Sequence, residues 1–173
     1  MINLLKKIER EEIIEILKDP KNFNSMNVDY HPPIVERIWA PYKEGRIYFH
    51  FIYPCTTAEA LYHPHPWASA IHILSGEYEM GLGFDNKSDT SANITEVSKL
   101  ILAENSYYEM VNKEAWHYVR PFNRIAKTVM ITDKPWESNE NFVKTTKELQ
   151  ELSKEKAEEI RKWFLLYYYS HKI

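Results

Sequence analysis

Three histidines carry the chemistry that is legible in this chain. His63 and His65 stand two residues apart in Tyr62-His63-Pro64-His65-Pro66-Trp67. On an extended strand that spacing points both imidazoles to one face. Pro64 and Pro66 restrict φ on either side of His65 and stiffen the segment. A third histidine, His117, lies in Ala115-Trp116-His117-Tyr118-Val119-Arg120-Pro121, which reads as a later strand. Neutral imidazole ligates Zn, Fe, Cu and Ni. Two ligands from one strand end and one from a distant strand suit a metal ion held inside a β-barrel. The competing reading of the same residues is a polar pocket of hydrogen-bonded histidines without metal. His72 differs in parity from Ser69, Ile71 and Ile73, and is not counted as a ligand.

The elements that must position these residues follow from periodicity. Leu4, Ile8, Ile13, Ile14 and Leu17 recur near helical spacing, which predicts a helix from an Asn3 cap to Lys18, ended by Asp19-Pro20. Residues 21–33 read as loop, with Asp29 as turn chemistry and His31 solvated. Strand character then runs through 34–134. Expected strands are Ile34–Ala40, Arg46–Tyr53, Ser69–Leu74, Glu77–Phe84, Val97–Ala103, Tyr107–Val111, Ala115–Pro121 and Ile125–Thr132. About eight short strands with short connections indicate an antiparallel sandwich or barrel, not alternating βα units. Asp85–Asn93 reads as an exposed loop. A second helix is expected within 143–171, from about Thr145 to Ser170, with Thr145 and Glu148 as a capping box. Its apolar stripe, including Ile160, Trp163, Phe164 and Tyr167, would pack on the barrel or on a partner. The whole of 1–173 is read as one domain: a helix in 1–20, a barrel in 34–134 and the closing helix.

In the strand Arg46–Tyr53, Ile47, Phe49, Phe51 and Tyr53 alternate with Arg46, Tyr48, His50 and Ile52. The second set contacts substrate if it lines the pocket and is merely tolerated if it faces solvent. Trp67, Tyr107 and Tyr108 are candidate pocket walls, equally explained as core. Glu79 and Glu109 are the acidic candidates for a fourth ligand or a general acid/base, and Arg120 or Arg46 for clamping a substrate carboxylate. Cys55 has no neighbour in sequence that would activate a thiolate.

Composition excludes several classes. A net charge of −3 lacks the basic footprint of a nucleic-acid binder. No run is long and apolar enough to span a bilayer. A single cysteine forbids an internal disulfide and fits a reducing compartment, so the expected location is the cytoplasm. No Gly-rich phosphate loop is present, and no Ser-His-Asp or activated-Cys set for covalent hydrolysis.

The layout His63-Pro64-His65-Pro66-Trp67-Ala68-Ser69-Ala70-Ile71-His72-Ile73-Leu74-Ser75-Gly76, followed by Ala115–Pro121, resembles the two metal motifs of the cupin superfamily over roughly Gly45–Pro135. The fuller text is similar to a group of cupin-like proteins of largely uncharacterised function. The resemblance implies an all-β double-stranded β-helix (jelly-roll) barrel with flanking N- and C-terminal helices. It matches His63, His65 and His117 to the family's ligands. Ser69 stands where the usual Glu ligand falls, and Asn112 and Glu114 where Pro and Gly precede the second-motif His. A three-His site is therefore implied, similar to that of thiol dioxygenases, which hold ferrous iron. The expected cofactor is a divalent transition metal, with Fe(II) ahead of Zn, Ni or Mn. The expected function is a mononuclear iron-dependent dioxygenase acting on a small organic molecule. The alternatives are a non-redox cupin isomerase or epimerase, and a non-catalytic ligand-binding barrel. A homodimer through a barrel edge is also implied.

Overall fold

The computed structural model describes residues 1–85, 94–136 and 149–171. Two helices open the chain, α1 (Ile2–Glu11) and α2 (Ile13–Lys18), where periodicity had suggested one. The stripe itself explains the break. Leu5 to Ile8 and Ile13 to Leu17 keep helical spacing, but the five-residue step from Ile8 to Ile13 would turn Ile13 about 140° away on an unbroken helix. A non-helical Glu12 (φ −126, ψ −27) brings both halves back onto one surface, and all four residues are fully buried.

The segment expected to be loop after Asp19 holds a one-turn 3-10 helix, Pro20–Asn22, and a strand, β1 (Asn24–Val28). Asn-Ser-Met-Asn-Val has no alternation of strong strand formers. It is an edge strand recruited by its pairing with β2 (Val35–Tyr42). The rest of the barrel comprises β3 (Gly45–Ile52), β4 (His63–Pro64), β5 (Trp67–Ser75), β6 (Tyr78–Asp85), β7 (Ile94–Leu102), β8 (Tyr107–Met110), β9 (Ala115–Pro121) and β10 (Ala126–Pro135). That makes ten described strands against the eight expected, the additions being β1 and β4. Residues 86–93 of the expected loop lie outside the described residues, as do Thr145 and Glu148 of the expected capping box.

All pairings are antiparallel, in a six-stranded sheet β1-β2-β3-β10-β5-β8 and a four-stranded sheet β4-β9-β6-β7. The two form a β-sandwich barrel with helices on one outer face. Gly76, at φ +87, makes the turn from β5 into β6, a conformation costly for residues with a Cβ. Register divides the larger sheet into two faces. Met26, Arg37, His50, Thr128 and Ile73 form one cross-strand row toward the barrel interior. Ser25, Ile38, Phe49, Val129, His72 and Tyr107 form the adjacent row on the opposite face. Both faces of β3 are therefore buried, because helices cover the second.

The closing helix, α3 (Lys154–Ser170), begins later than expected. Ser153 caps it, its hydroxyl accepting from the Lys156 N–H at 3.2 Å. Gln150, expected to be helical, instead bridges Asn27. Ile160, Phe164 and Tyr168 recur every four residues and are buried against the sheet, with Phe164 edge-on to Phe49 at 5.0 Å. The helix thus packs on its own barrel.

One carboxylate ties these layers together. Buried Glu9 of α1 accepts from His72 Nδ1 (2.7 Å) and Tyr168 Oη (2.6 Å) on Oε1, and from Tyr107 Oη (2.8 Å) on Oε2. The His72 and Tyr107 rings stack at 3.8 Å. α1, β5, β8 and α3 meet at this point. His72 accordingly faces the helices and not the barrel interior, as its parity required.

Candidate metal centre

His117 sits in the middle of β9, flanked in register by His63 on β4 and Leu82 on β6. β4 is only two residues long, so the strand expected to present both His63 and His65 ends between them. His65 lies in the short link that carries the chain from the four-stranded to the six-stranded sheet. All three imidazoles nevertheless converge, with one ring nitrogen from each lying within 4.8 Å of the others. The ring centroids are 5.2 Å apart for His63–His65, 4.8 Å for His63–His117 and 4.7 Å for His65–His117.

The donor set fits a divalent transition metal. His63 Nδ1–H donates to the Leu61 carbonyl at 3.2 Å, which fixes the tautomer and leaves Nε2 with its lone pair. The Nε2 atoms of His65 and His117 approach to 2.7 Å. Two imidazoles bound side by side to one ion at about 2.1 Å stand about 3 Å apart, so a shift of a few tenths of an ångström admits the metal. Burial holds all three rings in the neutral, ligating form. Desolvation, against the Leu61 hydrogen bond, lowers His63 to about 4. Desolvation and neighbouring His63 lower His65 to about 3. His117 falls well below the ordinary histidine range for the same reasons, burial first and then His65 and His63. Its Nδ1 is buried with no hydrogen-bond partner among the described residues, so strand pairing and packing alone set that ring's orientation.

The histidines form one wall of a cavity of about 390 Å³ between the sheets. Its lining is mainly apolar, with Val35, Ile52, Ile71, Val119 and Met130, and its polar groups include Arg37, His50, Tyr78, Tyr108 and Thr128. His50 Nδ1 and Thr128 Oγ1 are 3.1 Å apart, and the Tyr78 hydroxyl donates to Tyr108 at 2.8 Å. Burial, then the Arg37 charge, drives His50 well below the ordinary histidine range.

No protein-family model matches this chain, and no curated protein matches it by sequence. Solved structures do. Hydroxypropylphosphonic acid epoxidase from S. wedmorenis superposes with a TM-score of 0.50 at 14% identity, over 66% of this chain and 56% of that one. Its complex with fosfomycin gives 0.50 at 12% identity, over 66% and 57%. Fe(II)-HppE with the alternative substrate (S)-1-HPP gives 0.50 at 13% identity, over 66% and 57%. This chain matches little more than half the length of those proteins. The fold is a cupin-like β-barrel.

Within the cupin-like barrel the residues singled out from sequence divide sharply. His63, His65, His117, His50, Trp67 and Tyr108 line the cavity. Tyr48 lies just behind that wall, buried and stacked on His50 (5.7 Å) and Trp67 (6.2 Å). Arg46 is not part of the cavity lining; it lies exposed farther along the same face of β3, with its guanidinium 4.2 Å over Trp39 and Nη1 donating to Tyr48 Oη at 3.2 Å. Tyr107 belongs to the Glu9 network on the opposite face of the sheet. Glu79 and Arg120 pair with each other at 3.3 Å on neighbouring strands and line no part of the cavity. Glu109 meets the α-amino group of Met1 at 3.1 Å. Ser69, at the position of the usual Glu ligand, is fully buried and its Oγ has no partner among the described residues.

Sequence reasoning missed Arg37, Thr128 and His31. His31, expected to be solvated, is part of the cavity wall, its ring 6.2 Å from that of His63. The irregular segment after β1 folds back over the barrel mouth, and nothing local in its sequence announces that. Arg37 did carry a signal. It shares parity with Val35 and Trp39 on a strand whose neighbours are otherwise apolar, and a charge at such a position calls for a reason.

Proposed function

We propose that this protein is a mononuclear non-haem oxidoreductase of the dioxygenase kind, with ferrous iron held by His63, His65 and His117 and a small organic molecule as substrate. The observation that carries this is the convergence of three neutral imidazoles on the wall of a mainly apolar cavity. A ferrous ion with three protein ligands supplies one-electron chemistry and open coordination positions. The chain's own residues supply the rest. Leu61 orients His63 through its carbonyl, Ile52, Ile71 and Met130 exclude water, and the Tyr78–Tyr108 hydroxyl pair fixes a polar point on an otherwise apolar wall. The likeness to an Fe(II) enzyme of the same fold supports the metal, not the substrate. The same reading places the protein in a reducing cytoplasm and as a homodimer. The solitary Cys55 and the exposed Val97 and Ile101 on edge strand β7 support those two points. No described helix is long and apolar enough to cross a membrane.

One contact favours a second reading. At 2.7 Å the His65 and His117 Nε2 atoms satisfy each other as donor and acceptor, as they would in a metal-free binding barrel or isomerase. Oxygen consumption separates the two. Protein loaded anaerobically with Fe(II) is screened in an oxygen electrode against thiols and small aromatic acids. Near-stoichiometric iron and substrate-dependent oxygen uptake are the expected results. A wild type that takes up no transition metal on reconstitution ends the dioxygenase reading and leaves the metal-free barrel.

A further inference from the structure

Arg37 is a cation without a counter-ion. It lies on the interior row of the six-stranded sheet beside His50 and lines the same cavity as the histidines. Its Nη2 donates to the Met26 thioether at 3.1 Å, a weak acceptor, and its Cζ lies 5.1 Å over the Tyr48 ring. Among the described residues its buried Nε has no partner and no carboxylate reaches ion-pair distance of the guanidinium. Arg120 and Arg161, by contrast, each hold a glutamate. A partly buried charge that no carboxylate neutralises carries a solvation cost. An anion entering the cavity removes that cost.

The rest of the lining narrows the anion. Lys113 also lines the cavity, but its side chain is more than half exposed, with Glu114 Oε1 at 3.9 Å, so water already solvates that charge. One unmatched positive charge therefore faces walls made of Val28, Val35, Ile52, Ile71 and Met130. We propose that Arg37 is the anion anchor of this cavity, and that its ligand is a small organic monocarboxylate with an apolar body. The carboxylate sits on Arg37, the body lies along the aliphatic wall, and the far end meets the three histidines. The proposal rests on reading the cavity as the substrate site and specifies the class of substrate.

The test is calorimetric titration of the full chain, stripped by chelation and again after loading with redox-inert Zn(II). The probes are butyrate, hexanoate, octanoate and benzoate, each with its primary amide. At least one acid is expected to bind the stripped wild type, and its amide about tenfold or more weaker. Arg37→Gln is expected to lose about 10- to 100-fold in affinity for the acid, the value of one charge-assisted hydrogen-bonded pair, and to erase the preference over the amide. Arg37→Lys is expected to keep part of that preference. The anchor is overturned if no acid in the series binds, if acid binds only the zinc-loaded form, or if Arg37→Gln binds like the wild type. Should Arg37→Gln not fold, the wild-type comparison decides alone, and an amide as tight as its acid overturns the proposal. Acid-selective binding by a chain that takes up no metal sinks the metal reading and leaves the anchor standing. Metal uptake without acid selectivity does the reverse.

Discussion

With Fe(II) or Zn(II) present at one hundred times its dissociation constant, the wild-type protein is expected to gain about 2.7 kcal/mol of stability, and the His65→Ala, His117→Ala double variant none. For a chain of this size that corresponds to a melting temperature about 5–11 °C higher for the wild type. The expectation follows from where the ligands sit. His117 is central in β9, His63 is its register partner on the two-residue strand β4, and His65 is on the link into β5. Removing two of three ligands leaves a single imidazole, which cannot hold a divalent ion at micromolar concentration against water. The fold should tolerate the change, because both side chains border an existing cavity and the hydrogen bond lost is the one they make to each other, which strands no partner. Differential scanning fluorimetry of both proteins across a metal titration reads the effect. Equal upward shifts in the two would place the ion elsewhere and remove the three-histidine centre.

Replacing Glu9 with Ala is expected to cost about 3–5 kcal/mol, the range found when one partner of a buried charged network is removed. Three donors, buried His72 Nδ1 and Tyr168 Oη and half-buried Tyr107 Oη, lose their acceptor at once. Each stranded donor carries its own desolvation penalty. Glu9→Gln keeps an acceptor oxygen and should cost less than Glu9→Ala. Urea unfolding followed by tryptophan fluorescence measures both. A loss under about 1 kcal/mol for the alanine variant would mean that water reaches the site and that the network contributes little. Metal affinity should be unaffected, since Glu9 lies on the helix side of the sheet and the histidines on the other.

The histidine site was legible because its chemistry is written in short spacings, and because proline on both sides of His65 marks a segment that must hold its shape. Individual strands were legible from alternation in 46–53 and 77–84, where apolar parity is clean, but their order in the two sheets was not. What failed to show was whatever depends on a partner distant in sequence. β1 is polar and becomes a strand only by pairing with β2. The kink at Glu12 follows from a spacing whose meaning needs the sheet beneath it. Arg46 and Arg37 look alike in sequence and share one face of the sheet, and only register shows that Arg37 stands beside His50 in the cavity while Arg46 lies at the exposed end of that face. Glu9 and Tyr107 each read as ordinary residues of their own elements until the fold brings them together.

The Glu9 network also says something about the order of assembly. Its longest link, to Tyr168, spans 159 residues, so it is among the most non-local contacts in the molecule. Such a contact yields no enthalpy until nearly the whole chain has been closed into a loop. The barrel hairpins, whose strands are neighbours in sequence, reward closure much earlier. The carboxylate's shell is therefore complete only once α3 has docked and supplied its tyrosine hydroxyl. Interactions that form after the rate-limiting barrier govern how fast a protein comes apart and leave its folding rate nearly untouched. A carboxylate on the opposite side of the sheet from the three histidines is thus expected to act as a latch on unfolding, read in stopped-flow as faster unfolding of Glu9→Ala with its folding rate nearly unchanged.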